Sequence, residues 1–361
     1  MRKLLFLSTQ FTGYFYDCLK ELVDSYHFEV QVIRWQSSTN APYQFSDYQG
    51  ININLKEDFS SKELLKKCID FKSNLVYYPG WMDKDYLKIV AHLHQKGTIS
   101  IMGFDNQWQG TLRQRLIVSM GYWLFKKLFH VDYVWIAGEY QHEYIKRIGF
   151  PEKQILEGLY SANQPAYHVE YQKIRYLKMT DYPKHFLYVG RFEKVKNMVM
   201  LYRVFQNIVE QKLNKGWTLT MIGAGNEEEF LKPSRDIVIK KFVQPQDLPT
   251  LMPQFGCFIL PSLHEPWGVI IHEAVSAGLP LILSSMTGAG TIFLKEGENG
   301  FSFKSTDEEA LKNALLSIIN SDDTTLMKMS ESSAELSFQI TPKSWANTLN
   351  DLVTKSKNAI S

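Results

Sequence analysis

HEPWGVIIHEAVSAGLP, residues 264–280, follows an apolar run, GCFILPS (256–262), that is closed by Pro261 and Ser262. A short apolar run bounded in this way reads as a buried strand that stops at a loop, so Glu265 leaves the carboxyl end of a strand. Pro266 and Gly268 keep the next residues out of a regular helix, and Val269, Ile270, Ala274 and Val275 then begin a helical face. The unsatisfied amides and the positive dipole end of such a helix favour an anion, a diphosphate above all. Glu273, about one turn in, is in reach of hydroxyl groups on the same ligand. The competing reading is two solvated glutamates beside an ordinary loop, and the strand, turn and helix around them argue against it.

Outward from this stretch, the C-terminal half repeats one pattern. FLYVG, LTMIG and CFILPS read as strands, MVMLYRVFQNIVEQ, EEFLK and LPTLM as helices, with a short strand in DIVIKKF. The N-terminal half alternates likewise: KLLFLS, FYDCLKELVDSY, FEVQVIRW, SSKELLKKCIDF, LVYYP, DYLKIVAHLHQK and TISIMGF, with DYVWIAG (132–138) as its last strand. Strands alternating with amphipathic helices predict two doubly wound α/β units with parallel sheets, and a chain of 361 residues exceeds the roughly 250–300 at which single cores divide. The stretch SANQPAYHVEYQKIRYLKMTDYPKH, poor in apolar period and carrying Pro165 and Pro183, is the expected linker, with the boundary at 165–180. PKSWANTLNDLVTKSK reads as a terminal helix.

Composition excludes several classes. Lys and Arg number 40 against 38 acids, a formal charge of +2, so global electrostatics imply no nucleic-acid partner. Cys18, Cys68 and Cys257 are far apart and in apolar surroundings, as reduced core thiols of a cytoplasmic protein are. MRKLLFLSTQF lacks a full signal-peptide core, and no apolar run reaches the roughly twenty residues that cross a bilayer.

The segment 264–280 resembles the Glu-x7-Glu signature of the retaining glycosyltransferases of family 4. YVGRFEKVKN (188–197) resembles the strand and loop in which that family's Arg and Lys grip the donor diphosphate, here Arg191 and Lys196 after Gly190. LTMIGAGNEEE (219–229) is similar to the next strand and its glycine turn at Gly223. KFVQPQDLPTLM (241–252), with Val243, is similar to the segment before the signature strand, and SSMTGAGTIFLKEGENGFSF (284–303) to the loop and strand after it. The ordered match covers residues 184–304.

That resemblance implies the GT-B fold: two Rossmann-like domains facing a cleft, with a C-terminal helix crossing back as a hinge. Residues 1–170 would form an acceptor-binding domain, 171–340 a nucleotide-sugar-binding domain, and 341–361 the returning helix. It implies that Glu265 meets the donor sugar, Glu273 the ribose hydroxyls, and the amides of Trp267, Gly268, Val269 and Ile270 the phosphates. It also implies a retaining transfer without metal or other cofactor, from a UDP-sugar to a glycan or lipid-linked acceptor in polysaccharide or glycolipid synthesis. Two positions depart from the family pattern. Only Gly13, in STQFTGYF, stands for a glycine-rich loop, and the histidine expected after TISIMGF is replaced by Asp105, Asn106 and Gln107. Asp105 either stands beside the reacting carbon or caps the following helix.

Other motifs weigh less. GAGNEEE lacks the third glycine of a dinucleotide fingerprint, which argues against a dehydrogenase. Asp83 in MDKDY belongs to an Asp-x-Asp pair of the kind that holds a divalent cation, but its position predicts a helix cap. His92 and His94 lack a third ligand and read as partly exposed helix residues. Arg191 and Lys196 are alternatively a solvated basic loop beside Lys194. TLRQRLIVSMGYWLFKKLFH (111–130) carries Arg113, Arg115, Lys126 and Lys127, no acid, and Trp123 among other aromatics. It is either a helix lying on an anionic membrane at the inner face of the cell membrane or a half-buried helix with a basic edge. Two further functions remain open: a sugar-nucleotide epimerase of the same fold, and a subunit that binds a nucleotide sugar without turnover.

Overall fold

The computed structural model describes residues 2–36 and 45–358, with side chains to residue 355. The chain divides into two compact units, Met1–Ser161 with Pro342–Ser361, and Ala162–Thr341.

The first unit runs β1 (Arg2–Ser8), α1 (Gly13–Tyr26), β2 (Phe28–Arg34), β3 (Ile51–Leu55), α2 (Ser61–Asp70), β4 (Leu75–Tyr78), α3 (Lys84–Gln95), β5 (Ile99–Phe104), α4 (Leu112–Phe129), β6 (Tyr133–Ile136), α5 (Glu139–Ile148) and β7 (Ile155–Leu156). Among the described residues its seven strands form one sheet in the order β3-β2-β1-β4-β5-β6-β7, every pairing parallel. Side chains alternate across β1 as strand geometry requires. Leu4 and Phe6 enter one core with Leu19 and Leu22 of α1, and Leu5 and Leu7 enter the other with Ile89 and Leu93 of α3. The terminal helix α13 (Pro342–Asn358) completes the first core through Trp345, Leu349 and Val353. The Trp345 ring lies tilted against Trp135 with centroids 4.8 Å apart, and its indole N–H donates to Leu159 O at 2.9 Å.

The second unit runs α6 (Gln164–Thr180), β8 (His185–Val189), α7 (Met198–Glu210), β9 (Thr218–Ile222), β10 (Ile237–Lys240), α8 (Leu248–Leu251), β11 (Cys257–Leu260), α9 (Val269–Ser276), β12 (Leu281–Ser284), α10 (Gly290–Phe293), β13 (Gly300–Phe303), α11 (Glu308–Asn320) and α12 (Asp323–Leu336). Its six parallel strands lie in the order β10-β9-β8-β11-β12-β13. In both sheets the strand order reverses beside the first strand, between β1 and β4 and between β8 and β11. Ligands of doubly wound sheets bind outside the carboxyl ends at such a switch point.

Four sequence expectations change. The segment expected as a linker is the 17-residue helix α6. Its Pro165 is at the start, where no N–H is needed, and its buried residues Tyr167, Tyr171 and Lys178 are aromatic or charged, which hides the apolar period. DYVWIAG is not the last strand of its unit, because β7 pairs beyond it. The strand β3, at the sheet edge and only partly buried, has no apolar run to announce it. The helix expected at EEFLK is a single 3-10 turn, Glu228–Phe230. Asp83, in contrast, caps α3 as expected, accepting from the amides of Asp85 and Tyr86 at 2.9 and 3.1 Å.

Candidate functional site

In the second unit the switch point is built by lacing the loop after β8 to the loop after β11. Asn197, in the left-handed conformation at φ 54°, donates from its side-chain amide to Pro261 O at 3.2 Å and Ser305 O at 2.8 Å. Asparagine tolerates that conformation better than most residues. Leu263 N donates to Val195 O at 2.8 Å. These bonds bring the Lys196 ammonium onto Glu265 Oε2, to which the Ser262 hydroxyl also donates at 3.3 Å. Both side chains of the ion pair are largely buried, 16% exposed for Lys196 and 12% for Glu265.

The turn after Glu265 is held from the other side. Glu265 N donates to Met286 O at 3.1 Å, Gly288 N to Glu265 O at 2.9 Å and Ala289 N to Trp267 O at 2.9 Å. A Cβ on Gly288 would lie 2.0 Å from Pro266 O, so this approach requires glycine. Gly268 precedes α9 at φ 92°, and a Cβ there would press on Glu265 Cγ at 3.0 Å. It therefore supplies both the backbone conformation and the room for the carboxylate.

Helix α9 buries Ile271, His272, Ala274 and Val275, while Val269 and Ile270 are half-buried in its first turn. Ala274 and Val275 are thus buried as expected, whereas in the first turn Ile271 and His272 take the buried places expected of Val269 and Ile270. Glu273 is half-buried on the same helix, and Trp267 is 3% exposed. The helix is pinned by His272. Its Nδ1 accepts from Ala162 N at 3.0 Å and its Nε2 lies 2.9 Å from Ser337 O. Those partners assign the neutral tautomer with the proton on Nε2, and the ring stacks on Phe293 at 4.4 Å. Burial lowers the imidazole pKa to about 4, against the smaller opposing pull of the carbonyls of Ser337 and Ile340.

Arg191 is not drawn into the Lys196–Glu265 pair. Its side chain is 63% exposed and bonded to Glu193 at 2.8 Å. The backbone around it is fixed by Phe192 N to Ala224 O at 2.8 Å and by the Tyr188 hydroxyl donating to Arg191 O at 2.9 Å. A Cβ on Gly223 would fall 1.9 Å from Gly190 O, so the role of Gly223 visible here is to let two loops touch. A Cβ on Gly190 would meet only the Tyr188 hydroxyl end at 2.9 Å. Val243 is half-buried in the segment that follows the carboxyl end of β10.

The switch point of the first unit opens a cavity of about 370 Å³. Its wall includes Ser8 from β1, Tyr14 from α1, Gly80 after β4, Asp105 after β5, Arg113 from α4 and Tyr160. Asp105 is exposed and accepts from the Tyr160 hydroxyl at 3.1 Å, and burial together with that carboxylate raises the phenol pKa well above its ordinary value. Asp105 does not cap the following helix: Thr111 does, in a capping box with Gln114. Gly13 starts α1, and a Cβ there would meet nothing within 4 Å. The Asp-x-Asp pair lies elsewhere. Lys56 bridges Asp83 at 2.6 Å and Asp85 at 3.2 Å, and the Trp35 indole donates to Asp83 at 2.7 Å, so these carboxylates already have cationic and hydrogen-bond partners.

Sequence reading passes over Asn197, Ser262, His272 and Gly288. His272 lies inside the quoted signature, and a lone histidine in an apolar helix is a signal that it has buried partners.

Two adjacent strand ends, a buried Lys–Glu pair and a glycine-started helix form the arrangement on which comparison turns. Residues 173–335 match the family model of the glycosyl transferases group 1. Glycogen synthase of Mycobacterium tuberculosis is 30% identical over 145 residues, 38% of this chain and 34% of its own length. The Escherichia coli UDP-Gal:alpha-D-GlcNAc-diphosphoundecaprenol alpha-1,3-galactosyltransferase is 30% identical over 152 residues, 40% of this chain and 38% of its own. The match thus spans about a third of the length of these curated relatives. Across the whole chain, the structure of HepE from Anabaena in complex with UDP and glucose has a TM-score of 0.70 at 14% identity, covering 98% of this chain and 100% of that one. Sucrose-phosphate synthase from Thermosynechococcus elongatus has a TM-score of 0.73 at 15% identity over 99% and 100%. The fold class is α/β of GT-B type, with two Rossmann-like parallel-sheet units.

Proposed function

We propose that the chain is a retaining, metal-independent glycosyltransferase that moves a sugar from a UDP-sugar to a glycan or lipid-linked acceptor. The observation that carries this reading is the placement of Lys196 and Glu265 together at the switch point of the second unit, next to the start of α9. UDP in HepE and the UDP-Gal of the E. coli relative's name support uridine as the donor nucleoside.

In this reading the second unit binds the donor and the first binds the acceptor. As the bond to the anomeric carbon breaks, charge develops on the leaving diphosphate. Arg191, Lys196 and the first-turn amides of α9 supply fixed positive charge there, a guanidinium forking across phosphate oxygens and an ammonium acting as a point charge. Glu265 accepts from the donor sugar hydroxyls once Lys196 turns to phosphate, and Glu273 accepts from ribose. The acceptor hydroxyl attacks from the face the phosphate leaves and passes its proton to that phosphate. No enzymic nucleophile is needed. Asp105 in the cavity of the first unit orients the acceptor.

The test is thermal stabilisation by a panel of nucleoside diphosphates, comparing wild type with Glu273→Ala and Arg191→Ala. Stabilisation by UDP that both substitutions abolish is expected, and no stabilisation by any nucleotide would overturn the assignment.

A further inference from the structure

α4 is nearly bare. Of its eighteen residues only Phe125 is fully buried, with Ile117, Val118, Tyr122 and Phe129 packed partly against the core. Turned out of that core are Leu112 (80% exposed), Leu116 (69%), Trp123 (80%), Leu124 (51%) and Leu128 (54%). Gly121, at φ 67° and ψ 171°, interrupts the helix, and large apolar side chains are exposed on both sides of that break. At 3.6 residues per turn, Leu112 and Leu116 share a line with Arg113 and Arg115 to either side, and Trp123 and Leu124 lie one turn from Lys127 and Leu128. Residues 111–130 contain four Lys or Arg and no acid. An ordinary half-buried helix does not leave five large apolar residues exposed.

We propose that this face of α4 docks on an anionic phospholipid surface. The exposed apolar side chains insert at the headgroup boundary while the long basic side chains reach phosphate, as in interfacial helices. Charge selects the occupant: Lys126 lies 4.0 Å from Asp132 and Arg113 lines the cavity, but a second copy would still set Arg115 and Lys127 of an acid-free helix against their own kind, whereas anionic lipid complements them. The inner side of the same helix gives Arg113, Gln114 and Ile117 to the cavity that holds Asp105. A membrane-borne acceptor would then be delivered beside that cavity. This last step rests on the proposed function; the docking itself does not.

The experiment is flotation of the full chain with phosphatidylcholine vesicles and with vesicles of phosphatidylcholine and phosphatidylglycerol. Wild type is expected to float only with the anionic vesicles, and less at high salt. Lys127→Gln should weaken this roughly fivefold, the effect of about one cation near the surface, and Trp123→Ser with Leu124→Ser should abolish it. All three side chains are exposed or at the surface, and an unchanged melting temperature and UDP response show that each variant is folded. Absence of flotation by wild type, or equal flotation by the double variant, overturns the proposal. So does a concentration-dependent dimer that the double variant loses, since the face would then be a self-contact. Flotation needs no nucleotide, so it stands or falls separately from UDP stabilisation.

Discussion

Lys196 and Glu265 form a largely buried ion pair across 69 positions of sequence. Each is thereby held largely away from water, with the Ser262 hydroxyl also on the Glu265 carboxylate, until a ligand competes for it. Breaking such a pair by removing one member costs more than the pair is worth, because the other charge stays behind.

The two members should therefore respond differently. Glu265→Gln frees Lys196 and removes negative charge beside the diphosphate, so UDP binding should tighten roughly fivefold, about 1 kcal/mol, while transfer falls by about 10²-fold or more. Lys196→Ala should weaken UDP binding and lower transfer together. Calorimetric titration with UDP and product assay on the same preparations check both, and weaker UDP binding in Glu265→Gln would contradict this account.

His272 predicts an acid limb. Its folded pKa of about 4 lies below the ordinary value of 6.5, so between these values the unfolded chain binds a proton that the native one does not. Its contribution is fully present above pH 6.5 and is lost as pH falls towards 4, by at most about 3 kcal/mol. Wild type and His272→Gln should differ most in unfolding midpoint at neutral pH and converge near pH 4.

Lys178 predicts the reverse end of the scale. It is 2% exposed, its ammonium donates to Phe255 O at 2.8 Å, and burial lowers its pKa from 10.5 to about 7. The native state sheds this proton first, so stability should rise from pH 7 towards 10, by roughly 1.4 kcal/mol per unit at most. Lys178→Met removes the group and should flatten that rise in urea unfolding curves.

Two glycines separate packing from ligand approach. Gly223→Ala drives a methyl into Gly190 O and should cost about 3 kcal/mol. Gly13→Ala meets nothing, at the start of α1, and should leave the melting temperature unchanged or raise it. A drop in transfer by a fully stable Gly13→Ala would mean that substrate approaches the backbone there, and unchanged turnover would remove Gly13 from the site.

What the sequence alone determined is local. The alternation of β-type runs with amphipathic helices specified two parallel-sheet units, and the Pro-Trp-Gly turn between a buried strand and a helix marked Glu265 and the start of α9. The cap at Asp83 was legible because capping joins residues two and three apart. α6 was not, since Tyr171 and Lys178 are buried against Gly278 and Phe255, which lie 77 or more positions away. Strand order is likewise non-local: only because β8 lies between β9 and β11 do the loops of Lys196 and Glu265 meet, and only because β1 lies beside β4 does Asp105 share a cavity with Tyr14. His272 finds Ala162 and Ser337 at separations of 110 and 65. Periodicity reports which side of an element faces a core, and only the folded chain decides which distant partner fills it.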